Sequence, residues 1–290
     1  MTERPIIAGW DGGDHGQDAL ALAAVLARID GSQVIAAHAY HCPPPAYPMP
    51  EDYANALHAA ADAQVRGIPR HILEGVRFDA RKMPGRSPAR ALHELAVAEK
   101  ASLVVLGSTH HGAVGRVILG TVADRLLNGA PCPIAIAPRG YSSHAAERLR
   151  VVAVGFDGSP DSAAAVTTAA TTAQRAGATL RIVAIVEPIG KKLLGAAASL
   201  LEDVMHVERD WLTDRLGAVR SELPSDLEPE IDIHDGDPAH ELIKAGSTAD
   251  LLVLGSRDYG PVLRVMVGGA SAEVVQKAPC PVLVVPRAAR

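Results

Sequence analysis

One pattern runs through the chain twice. Ala130-Pro131-Cys132-Pro133-Ile134-Ala135-Ile136-Ala137-Pro138-Arg139 returns as Ala278-Pro279-Cys280-Pro281-Val282-Leu283-Val284-Val285-Pro286-Arg287. Upstream, LVVLGS at 103–108 returns as LLVLGS at 251–256, and IAGWDG at 7–12 as AVGFDG at 153–158. Pro88-Ala89 and Pro238-Ala239 each open a helical pattern ahead of the Val/Leu-rich run. Four anchors in one order at nearly one spacing make the chain a tandem duplication. Its 290 residues give each copy the size of an ordinary domain, enough to bury roughly 70% of its extended-chain surface. Between the copies, Gly140-Tyr141-Ser142-Ser143-His144-Ala145-Ala146-Glu147-Arg148 follows a Pro-Arg terminus and reads as a short linker. The expected domains are therefore 1–143 and 144–290.

Within the first copy, strand and helix alternate. Strands are predicted at 5–10, 33–38, 76–82, 102–106 and 134–137, and helices at 17–29, 51–66, 88–99 and 121–128. The run at 76–82 alternates apolar and polar residues, as an edge strand does. Pro88 suits the first turn of its helix, where a missing N–H is no loss. Short apolar strands separated by helices predict an α/β fold: two Rossmann-like domains, each a five-stranded parallel sheet flanked by helices. Right-handed crossovers then bring the carboxyl ends of the strands to one edge, where ligands of such sheets bind.

Composition removes several classes of function. Aromatic residues make up 3% of the chain and the net charge is −5, so neither the basic patch nor the stacking platform of a nucleic-acid binder is present. No apolar run approaches the ~20 residues of a membrane-spanning helix. The residues Met1-Thr2-Glu3-Arg4-Pro5 lead straight into a strand without a secretory apolar region. Three cysteines, Cys42, Cys132 and Cys280, form no CxxC pair and fit a reducing compartment. A cytoplasmic protein is expected. Cys132 and Cys280, set between prolines before terminal strands, read as structural thiols.

Two loops in each copy carry chemistry. The first, after strand one, is Gly9-Trp10-Asp11-Gly12-Gly13 and Gly155-Phe156-Asp157-Gly158-Ser159. Asp11 and Asp157 suit either ordinary turn and N-cap work or a hydrogen bond from a ribose hydroxyl. The second runs Gly107-Ser108-Thr109-His110-His111-Gly112-Ala113-Val114-Gly115 to Gly120-Thr121, and in copy two Gly255-Ser256-Arg257-Asp258-Tyr259-Gly260 to Gly268-Gly269. Glycines there let main-chain N–H groups approach phosphate oxygens. The spacing is neither a Walker A loop nor the dinucleotide fingerprint, which belongs after the first strand.

In these residues and their order, nearly the whole chain resembles the universal stress proteins of the UspA-like type. The resemblance implies a Rossmann-like five-stranded sheet and ATP as cofactor, with Mg as a companion ion. The family's ATP motif is Gly, two residues, Gly, nine residues, then Gly with Ser or Thr. Copy one matches it at Gly107 and Gly120-Thr121, with His110 where the second Gly is expected. Copy two has Gly255 and Gly268-Gly269, with Asp258 in place of the Gly and no terminal hydroxyl. The resemblance assigns Asp11 and Asp157 to the ligand, Ala39 and Val186 to the adenine side, and Ser108, Thr109, Gly112, Val122, Ser256, Arg257 and Gly260 to the phosphate side. Gly9 and Gly155 flank the same pocket. Copy one is expected to bind ATP better than copy two.

Other constellations compete with these. His110, His111 and His15 lack the spacing of a zinc motif. His38, ending a strand, is expected to serve packing. The proline run at 43–50 reads as a stiff surface connection. No nucleophile–base–acid set surrounds Ser108 or Ser256, and no Gly-x-Ser-x-Gly elbow is present, so no enzymatic activity is expected. The readings carried forward are a nucleotide-responsive stress or signalling module and a stress-protein scaffold acting through protein–protein contact. The terminal strands are expected to pair the two copies, since exposed edges invite pairing; a further homodimer is left open.

Overall fold

The computed structural model describes residues 4–42, 50–108, 120–145, 148–187, 198–256 and 269–286. The chain divides into two units, changing over between Arg148 and Leu149, a few residues beyond the Ser143 boundary read from linker composition.

In unit 1 the elements are β1 (Ile6–Gly9), α1 (Asp14–Asp30), β2 (Val34–His41), α2 (Glu51–Arg66), β3 (Phe78–Gly85), α3 (Pro88–Ala98), β4 (Leu103–Gly107), α4 (Thr121–Leu127) and β5 (Ile134–Ala137). Unit 2 repeats them as β6 (Val151–Phe156), α5 (Pro160–Ala176), β7 (Thr179–Val186), α6 (Ala198–Glu222), β8 (Glu230–Asp235), α7 (Pro238–Gly246), β9 (Leu251–Gly255), α8 (Gly269–Lys277) and β10 (Val282–Val285). Strand order is β3-β2-β1-β4-β5 in unit 1 and β8-β7-β6-β9-β10 in unit 2. Every pair within each unit is parallel. Each unit is thus the Rossmann-like five-stranded parallel sheet expected from the alternation of strands and helices.

Burial follows the apolar patterning. All of β1 except its last residue, and likewise β4 and β9, are buried, as strands covered on both faces require. β3 and β8 are only partly buried and end the strand order. The Ala-rich α1 buries Leu20 and Leu22 completely, with Ala19 and Ala23 on either side of them; small side chains let the helix axis approach the sheet.

The helix ends are set by local chemistry. α1 starts three residues before the sequence pattern predicts, because Asp11 Oδ1 accepts the main-chain N–H groups of Gly13 (2.9 Å) and Gly16 (3.0 Å). It stops at Gly31, which takes the left-handed conformation with φ 74° that suits glycine. α3, α5 and α7 each begin with Pro after a capping residue: Ser87, Ser159 and Asp237 accept N–H groups from Arg90, Ser162 and His240.

One contact ties the linker down. Asp18 of α1 is 0% exposed; its two carboxylate oxygens accept the N–H groups of Gly140 and Ser142, each at 2.8 Å. The linker turn at Tyr141–Ser143 is thereby fastened to unit 1. Among the described residues, no helix is long and apolar enough to cross a membrane.

Candidate functional site

The strand order reverses direction at β1, which has β2 on one side and β4 on the other. Loops leaving β1 and β4 therefore diverge, and a cleft opens between their carboxyl ends. In unit 1 this cleft is a cavity of about 240 Å³. Gly9, Trp10 and Asp11 line it from the β1 end, Ala37 and Ala39 from β2, and Leu106 and Gly107 from β4. His15 and Gly16 come from α1, Pro88 and Leu92 from α3, and Gly120, Thr121, Val122 and Ala123 from the start of α4.

Close approach explains the glycine at the end of β4. A Cβ on Gly107 would stand 2.1 Å from the carbonyl oxygen of His15, so only glycine lets α1 lie against the strand end. Asp11 serves as a turn residue through Oδ1, and the two N–H groups it accepts leave Oδ2 outside those bonds. Trp10 is buried and donates its indole N–H to the carbonyl of Gln64 at 2.8 Å. A ring nitrogen of His38 meets the Trp10 carbonyl at 3.0 Å, so the expected packing role of His38 includes fixing the exit of β1. The Nδ1 atom of His15 is buried and has no hydrogen-bond partner among the described residues.

The equivalent cavity of unit 2 is also about 240 Å³, with the same frame and different chemistry. Asp11 and Asp157 each stand 20 residues before the glycine that ends the first helix, Gly31 and Gly177, and both helices have 17 residues. The copies are therefore in step here, and His15 corresponds to Asp161. Gly255 mirrors Gly107: its Cβ would lie 2.6 Å from the Asp161 carbonyl oxygen. Asp157, Asp161, Glu187 and Glu208 all line this cavity, and no Lys or Arg does so among the described residues. The Glu208 carboxyl is raised above the ordinary range, first by burial and then by the nearby Glu187 carboxylate. Its Oε2 is buried without a hydrogen-bond partner among the described residues. Trp211 of α6 lies over the first loop, where a Cβ on Gly158 would come within 2.4 Å of its ring.

Of the expected site residues, the unit 1 cavity gathers Gly9, Asp11, Ala39, Gly107, Gly120, Thr121 and Val122. Ser108 is buried and does not line it, its hydroxyl without a partner among the described residues. Thr109, His110 and Gly112 lie outside the described residues. The unit 2 cavity gathers Gly155, Asp157 and Gly255. Ser256 is fully buried and does not line it. Arg257, Gly260 and Gly268 lie outside the described residues, and Gly269 opens α8 just ahead of the lining Ala270 and Ser271. Val186 is fully buried away from the cavity; Ile185 lines it instead. Pairing explains the shift: Gly9 stands opposite Ala37 and Gly155 opposite Val183, so Ala39 corresponds to Ile185, and a one-residue step turns a strand side chain to the other face.

The fold, the duplicated cleft and its glycine frame agree with a family-level match. The profile of the universal stress protein family fits residues 3–138 and again 148–286. The chain belongs to the universal stress protein family. Universal stress protein Rv2319c of Mycobacterium tuberculosis is 28% identical over 296 residues, spanning 97% of this chain and 99% of its own. A universal stress protein of Thermus aquaticus is 34% identical over 133 residues, which is 45% of this chain and 96% of its own, as a match to one copy would be. A universal stress protein structure from Archaeoglobus fulgidus DSM 4304 superimposes with a TM-score of 0.67 at 18% identity, covering 99% of this chain and 100% of its own. That likeness is one of fold.

In this tandem universal stress protein the motifs located the strand-end loops but missed the residues that set each cavity's polarity. His15 and Asp161 sit in the first turns of helices, and Glu208 and Trp211 far along α6. The only sequence signal for the first pair is the difference between copies at one aligned position. Ser271 supplies copy two with a hydroxyl beside the cleft, two residues past the position where the motif shows none. Among the described residues no group of three His, Cys, Asp or Glu side chains is arranged to hold a metal ion.

Proposed function

We propose that this universal stress protein binds ATP in unit 1 and acts as a nucleotide-responsive stress and signalling module, without catalysing a reaction. The observation that carries the reading is the meeting of Asp11, Ala39, Gly107, Gly120 and Thr121 in one cleft at the reversal of strand order. Their chemistry fits an adenine nucleotide. Asp11 Oδ2 can accept from ribose hydroxyls, and the small Ala37 and Ala39 leave room for a base at the end of β2. Gly107, Gly120 and the Thr121 hydroxyl offer close main-chain approach and a donor for phosphates. Mg would accompany the phosphates and offset their charge. The reading without turnover in a reducing cytoplasm rests on the sequence, in which no Gly-x-Ser-x-Gly elbow surrounds Ser108 or Ser256 and the three cysteines form no CxxC pair.

Unit 2 supports the second reading, a scaffold that works through protein contact. A triphosphate there would meet four carboxylates, and like charges about 4 Å apart repel by on the order of 1–4 kcal/mol. We extend the proposal to pairing of the two units through β5 and β10; the support is that each strand ends the order of its own unit.

Mass spectrometry of the gently denatured full chain, followed by calorimetric titration with ATP, tests the nucleotide reading. Co-purified adenine nucleotide and saturable binding that Gly120→Asp removes are expected. An empty chain that gives no heat with ATP would leave the scaffold reading in its place.

A further inference from the structure

The two cavities share a frame and differ most sharply at one aligned position. In unit 1 it is His15, whose carbonyl touches the end of β4 and whose buried Nδ1 has no partner among the described residues. In unit 2 it is Asp161, whose carbonyl touches the end of β9 in the same way. Both residues line their cavities. An imidazole can donate a hydrogen bond to an anion in either protonation state and carries a positive charge in one. An ionised carboxylate can only accept, and repels an anion.

We propose that this position sets the charge each copy admits: His15 is the phosphate-facing donor of unit 1, and Asp161 makes unit 2 reject polyphosphates. The proposal rests on the nucleotide reading of unit 1. The surroundings agree with the assignment. Apart from His15, Asp11 is the only ionisable side chain lining the unit 1 cavity among the described residues, and Asp11 is committed through Oδ1 to the turn. In unit 2, Asp161 joins Asp157, Glu187 and Glu208. Arg215 lies 5.3 Å above the Trp211 ring and does not line the cavity. The residue is a specificity determinant rather than part of the frame, because it is the His15 main chain that contacts Gly107.

The test is calorimetric titration of the full chain, as wild type, His15→Asp and His15→Asn, with ATP and with adenosine. A charge-assisted hydrogen bond to phosphate predicts that His15→Asp weakens ATP roughly tenfold or more while adenosine changes less than about twofold. His15→Asn, which keeps a neutral donor, should retain ATP better than His15→Asp. Wild type should saturate at one ATP per chain. Equal weakening of both ligands, unchanged ATP binding in His15→Asp, or two equivalent ATP sites per wild-type chain would each overturn the assignment while leaving the nucleotide reading standing. A wild-type chain that binds neither ligand overturns both.

Discussion

Asp18 lies in α1 at 0% exposure, an expensive place for a carboxylate unless its oxygens are occupied. The N–H groups of Gly140 and Ser142 occupy them. Asp18→Ala would leave both donors without their acceptor, and should destabilise unit 1 by about 2–4 kcal/mol, read as a lowered urea midpoint for its transition. Glu208 presents the opposite case. Its carboxyl is raised by burial and by Glu187, so the native state holds the proton more tightly than the unfolded chain. The stabilising influence of that proton is complete below the ordinary carboxylate range and is lost as pH rises through the raised value. Glu208→Gln should therefore melt higher than wild type at neutral pH, by about 1–2 °C, with the advantage fading as pH falls through the raised value and gone below the ordinary Glu range. A thermal series across pH checks both the sign and the window.

Helices that flank the same sheet differ in how firmly they are held. α1 has buried residues along nearly its whole length, whereas in α2 only Ala61 falls in the buried class. Local opening should follow this difference: in hydrogen exchange, amides at 57–66 are expected to exchange at least about tenfold faster than those at 19–27. Comparable protection would mean that α2 is held by more than its own packing. The elements themselves were legible in sequence because the strands are continuous apolar runs and the helices are bounded by Pro and Gly. Several boundaries were not. The early start of α1 depends on the Asp11 side chain reaching the N–H groups of Gly13 and Gly16. The extension of β2 to His41 depends on pairing with Pro84 and Gly85 of β3, and its polar aromatic tail hides that partner. The candidate site divides in the same way. Glycines and aspartates at strand ends announce themselves by motif. The step from Val186 to Ile185 is a matter of register, and Glu208 reaches its cavity from α6, so neither is written in local spacing.

At the scale of the whole molecule, the three cysteines separate into two kinds. Burial pushes the Cys132 thiol up to about 11 and the Cys280 thiol up to about 12, leaving almost no thiolate at pH 8. Cys42 is half-buried. A chromogenic disulfide reagent at pH 8 should titrate one thiol per native chain within minutes and three in guanidinium; two or three fast thiols in the native chain would contradict this burial. The fastening of residues 140–142 onto α1 has a further consequence. The copy-two counterpart of Asp18 is Ala164, which has no carboxylate to offer. The leading domain has come to depend on its own linker turn, which lies past the 138 limit of its family match. A chain trimmed at that limit would leave α1 holding a buried carboxylate without its two donors. After duplication, the two halves have stopped being interchangeable.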